Sequence, residues 1–88
     1  MEELKKLVLG FKVSLSDFDE PISEKVKSRI KNLIENYNNI VSSIKLENLK
    51  LENPDDYQEF RSLWFKVATL RKLAKDCKID VPNLIDKP

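Results

Sequence analysis

Histidine is absent from this 88-residue chain. With it goes the side chain most used as a general base and metal ligand. Cysteine occurs once, at Cys77, so no disulfide can form within the chain. Cys77 falls in an apolar row and reads as a small hydrophobe rather than a nucleophile. The single glycine, Gly10, excludes a glycine-rich phosphate loop. The net charge of +1 creates no field that would draw nucleic acid or a membrane. No apolar run approaches the roughly 20 residues of a membrane span. The opening Met-Glu-Glu carries acids where a secretory signal needs a basic segment. These absences point to a cytoplasmic protein.

The carboxylates offer little chemistry in return. Asp17, Asp19 and Glu20 form one cluster, and Asp55, Asp56 and Glu59 another. Each precedes or opens a helical pattern, where acids complement the positive helix end. The chain is therefore expected to be no enzyme and to hold no cofactor or metal.

What is present is helical patterning. Composition is 41% hydrophobic and 35% charged, which suits a helix-rich globular protein and not a disordered one. Lys, Ile and Asn are abundant, as in A/T-rich phage, plasmid or low-GC bacterial genomes. In residues 21–45, Val26, Ile30, Leu33, Tyr37, Ile40 and Ile44 recur at alternating steps of three and four. This is the seam of a helix packed along another helix. Pro21 suits its first turn. A second helix is expected over 54–78, with Asn53 as N-cap, Pro54 as first residue, and Phe60, Leu63, Val67, Leu70, Ala74 and Cys77 as its seam. The short connection of residues 46–53 makes the two helices antiparallel neighbours. Within it, Leu46, Leu49 and Leu51 fold back over the hairpin end or form a short strand. Residues 79–88 read as an irregular tail, with Ile79, Val81, Leu84 and Ile85 tucked against the helices.

The N-terminal stretch is ambiguous. Leu7, Leu9, Phe11, Val13 and Leu15 alternate as in a strand, while Leu4, Leu7, Val8, Phe11 and Leu15 share one helical face. The β-propensity of Val8, Phe11 and Val13, with Gly10, favours a short strand or extended segment over 7–15. The expected fold is mostly α: a long antiparallel, coiled-coil-like helical hairpin preceded by that segment, in a single domain. A three-helix bundle is the alternative.

Beside the seam lie Lys27, Ile34 and Val41 on the first helix and Trp64, Arg71 and Lys78 on the second. Ile34, Val41 and Trp64 make an apolar strip that two helices cannot bury alone. Either the N-terminal segment or a second copy must cover it. Trp64 is then either core or the hot spot of an interface. Phe11, Val13, Ile34, Val41 and Trp64 are the candidate partner or dimer interface. Lys25, Lys27, Arg29, Lys31, Arg71, Lys72, Lys75 and Lys78 gather at one hairpin end, and the loop end is acidic. The bland reading is helix-dipole complementarity and local pairing. The functional one is contact with nucleic acid or an acidic partner.

Together these features suggest a small protein–protein interaction module, a regulator, inhibitor or adaptor acting as a homodimer. The runner-up is a DNA-binding regulator. Its strand–helix–helix order loosely resembles ribbon–helix–helix repressors, with Gly10, Lys12 and Ser14 facing base edges. The long Ser16–Glu20 connection, the uninterrupted first helix and the near-neutral charge depart from that pattern. RNA binding through the basic end rests on the lysine and arginine cluster alone.

Overall fold

The computed structural model describes residues 1–85 and 87. Asp86 and Pro88 of the expected tail lie outside the described residues. The chain is mostly helical: α1 (Glu2–Gly10), α2 (Glu24–Ser42), α3 (Leu46–Glu52) and α4 (Pro54–Asp76), with a 3₁₀ turn at Leu15–Phe18 between α1 and α2. No strand forms among the described residues.

The expected strand over 7–15 is therefore corrected. Residues 7–10 belong to α1, and the chain is extended at Phe11, just past the helix end. Burial decides between the two periods. Leu4 and Val8, four residues apart, are buried, while Leu9 is 41% exposed. Alternation would have placed Leu7, Leu9 and Phe11 on one face. A helix closes its own backbone hydrogen bonds, whereas a lone strand leaves its donors and acceptors unpaired. That requirement overrides the modest β-propensity of Val8 and Phe11.

α2 starts later than expected. Ser23 is its N-cap, with Oγ accepting the Val26 N–H at 3.2 Å. Pro21 precedes the helix instead of occupying its first turn. The buried residues of α2 are Val26, Ile30, Leu33, Ile34, Tyr37 and Val41. Ile40 and Ile44 are only half-buried. The buried face is thus broader than a two-helix seam, because more than one element packs on it. α4 starts as expected at Asn53–Pro54. The Asn53 Oδ1 accepts the Asp56 N–H at 3.3 Å and its Nδ2 donates to the Asp56 carboxylate at 2.9 Å. The connection, left open between a fold-back and a strand, is the short helix α3, which packs on α4.

α2 and α4 run antiparallel, and α1 packs against both. Lys5 of α1 pairs with Glu59 near the start of α4 at 3.7 Å, and Arg29 near the start of α2 bonds the Lys12 carbonyl just past α1. α1 therefore lies parallel to α4. The shared core joins Leu4, Val8, Ile30, Ile34, Tyr37, Val41, Phe60, Leu63, Val67 and Ala74.

The end of α4 sets the path of the tail. Ile79 N–H donates to the Ala74 carbonyl and Lys78 N–H to the Lys75 carbonyl, both at 2.9 Å. This pair of bonds is a Schellman closure, and it needs a left-handed residue where Lys78 sits, at φ 61°. Ile79 is then buried against the core. A left-handed lysine carries about 1–2 kcal/mol of strain that glycine lacks. Glycine loses part of that advantage, about 0.4–1 kcal/mol, through greater unfolded-chain entropy. Lys78→Gly is accordingly expected to raise stability by about 0.5–1 kcal/mol, measured by urea unfolding. A loss of stability would contradict this closure.

Candidate functional site

The strip that needed a cover has one within the chain. Ile34 and Val41 have no exposed surface, and Trp64 is half-buried against the same core. The tail after the Schellman turn lies along this side of the hairpin, and α1 shares the same core. The tail runs back between α2 and α4. Arg71 Nε donates to the Pro82 carbonyl at 2.8 Å, and the same guanidinium bonds the Asn83 side chain. From the other helix, Asn38 Nδ2 donates to the Asn83 carbonyl at 2.8 Å, and Asn38 Oδ1 accepts the Ile85 N–H at 3.2 Å. Leu84 lies beside Trp64 and Ala68.

The other predicted interface residues also face inward. Phe11 and Val13 are half-buried and line a small groove of about 250 Å³ with Leu33, Val67 and Leu70. Lys12 and Lys66 stand at its rim. Phe11 also lies under the Arg29 guanidinium, 5.2 Å from the ring centroid.

The basic end comes together only in part. Arg29 bonds the Lys12 carbonyl at 2.6 Å, and Arg71 holds the tail. Lys27 pairs with Glu24 at 3.3 Å. These three cations serve the fold. Lys25, Lys31, Lys72, Lys75 and Lys78 are exposed. Lys25 and Lys31 project about 120° apart around α2, given the roughly 100° turn per residue. Lys25 and Lys31 therefore do not share one face of α2. The strand reader has no counterpart, since Gly10 closes α1 and Lys12 lies in irregular chain.

A different surface stands out on the outer side of α4. Phe65, on the far face as its position implies, is 65% exposed. A depression beside it is lined by Gln58, Arg61, Ser62, Trp64 and Phe65. A second, on the tail side of Trp64, is lined by Trp64, Ala68, Arg71, Asn83, Leu84 and Lys87. No carboxylate lines either depression among the described residues. The Trp64 Nε1 is buried and has no hydrogen-bond partner among the described residues. Arg61 and the tie between Asn38 and the tail escaped the sequence reading, although the packing of Ile79, Val81 and Leu84 against the helices was expected. Neither asparagine of the Asn38–Asn83 pair carries a periodic or capping signal.

No group of three His, Cys, Asp or Glu among the described residues could hold a metal ion. No helix among them is long and apolar enough to cross a membrane. Comparison with protein-family models, with curated proteins and with solved structures finds no match to this chain.

Proposed function

We propose that this chain is a non-enzymatic protein–protein interaction module, a regulator, inhibitor or adaptor, that docks an acidic partner on the outer side of α4. One observation carries the reading. An exposed Phe65 adjoins Trp64 and Arg61 on a surface whose depressions hold cations and no carboxylate among the described residues. Trp, Tyr and Arg are the residue types in which binding energy concentrates. A cationic rim speeds the approach of an acidic partner and disfavours a basic one. The lack of histidine in the sequence is in keeping with a role outside catalysis.

The docking residues differ from those first expected. Ile34 and Val41 are fully enclosed, so the reading moves to Arg61, Trp64 and Phe65. Phe65→Glu tests it against Leu15→Glu, a change at an apolar residue 85% exposed on the 3₁₀ turn. A hot-spot loss of at least about 2 kcal/mol, or about 30-fold in affinity, is expected for Phe65→Glu alone. Both variants should unfold within about 0.5 kcal/mol of the parent, as surface changes do. The measurement is affinity capture of the native partner followed by titration with it. Equal binding by the two variants would sink the assignment.

A further inference from the structure

The tail seat has the character of a peptide receptor. The Asn38 carboxamide contacts the tail backbone twice, at the Asn83 carbonyl and the Ile85 N–H. In an extended chain a carbonyl and the N–H two residues later point the same way. One side-chain amide can therefore satisfy both, as a neighbouring strand would. Arg71 holds the preceding carbonyl of Pro82 from the opposite helix, and Leu84 lines the depression beside Trp64. These contacts read the segment Pro82–Ile85 and do not depend on which chain supplies it.

The turn that delivers the tail is strained. Lys78 occupies a left-handed conformation that favours glycine. Straightening that residue would relieve the strain and carry the tail away from its own groove. Strained short hinges of this kind favour exchange of an element between copies.

We propose that the groove between α2 and α4 accepts the tail of a second copy of this chain, giving a dimer by reciprocal tail exchange about Lys78. The partner surface comprises Asn38, Arg71 and Trp64 of one copy and Pro82–Ile85 of the other. This does not rest on the docking face at Phe65, and either can fail without the other. Exchange conserves the tail contacts and releases two strained hinges per dimer. Its competitor is the tail already tethered in place, whose effective concentration is in the millimolar range. Association is therefore weak and depends on concentration.

Complementation between full-length variants provides the test. Asn38→Ala/Arg71→Ala has a damaged groove and an intact tail. Asn83→Ala/Leu84→Ala has an intact groove and a damaged tail. In the mixture, the intact tail of the first should enter the vacant groove of the second. Analytical ultracentrifugation at about 0.1–1 mM should show a mixed dimer at least ~10-fold tighter than either variant alone. Circular dichroism checks that each variant keeps its helices.

A second arm leaves groove and tail untouched. Lys78→Gly relaxes the closed hinge and should weaken self-association by about 10-fold. Lys78→Val, β-branched and poorly suited to the left-handed region, should strengthen it. A mixture that stays monomeric overturns the proposal. So does a dimer indifferent to both the groove and Lys78 variants, because it would use another surface.

Discussion

Phe60→Ala is expected to destabilise the fold by about 3–5 kcal/mol, the usual range for removing a buried aromatic ring. Phe60 has no exposed surface and belongs to the one core that joins α1, α2 and α4. It sits near the start of α4, with Tyr57 6.5 Å away between ring centroids. The ring cannot be replaced by a neighbour sliding in, because Leu63 and Val67 lie further along the same helix and already fill their own places. A domain of this size has a total stability on the order of 5–10 kcal/mol. The loss is thus a large fraction of the whole. Thermal unfolding followed by circular dichroism should show a midpoint lowered by on the order of 20 °C. A drop below about 5 °C would mean that the ring is not enclosed as described. Phe65→Ala, one turn or so away on the exposed side, provides the contrast, since its ring is largely in solvent.

The parts of this fold that could be read from sequence are those governed by local chemistry. Asn53 followed by Pro54 and two aspartates marks a helix start from four adjacent residues, and α4 begins there. The same reasoning misplaced the start of α2. Pro21 and Ser23 both offer start signals, and the serine hydroxyl caps the helix. The apolar rows were legible because their spacing repeats over five turns. Which of their members are deepest was not, since α1 and the tail widen the buried face toward Ile34 and Val41 and leave Ile40 half-buried.

The strip of Ile34, Val41 and Trp64 could be recognised as needing a cover, but its cover could not be named. The tail is fixed by Asn38, more than forty positions away in sequence, through bonds to backbone atoms that carry no sequence signature. Lys78 gave no warning either. Left-handed closures usually announce themselves with glycine, and here a lysine occupies the position. The basic cluster was legible as a composition but not as a surface. Whether an arginine meets solvent or a carbonyl depends on the chain beside it, as Arg29 and Arg71 both illustrate.

The N-terminal stretch separates the two periodicities most sharply, and it supports the second large prediction. Leu4 is fully buried in the shared core, four residues ahead of Val8 on the inner face of α1. Leu4→Ala is expected to destabilise the protein by about 2–5 kcal/mol, as for other enclosed leucines. Leu9→Ala and Leu15→Ala, at leucines 41% and 85% exposed, should change stability by about 0.5 kcal/mol or less. A strand over 7–15 would reverse this order. Leu9 and Leu15 would then share the inward face with Phe11 and Val13, and Leu4 would lie outside the element. Urea unfolding of the three single variants, compared at equal slope, therefore distinguishes helix from strand without a new structure. It also tests how firmly α1 is joined to the rest. Leu4 lies in one core with Tyr37 of α2 and Phe60 of α4, so its loss should lower the stability of all three helices in one transition. An unfolding curve in which a minor helical signal melts first, leaving α2 and α4 at their original midpoint, would show that α1 is an appendage and not a wall of the core.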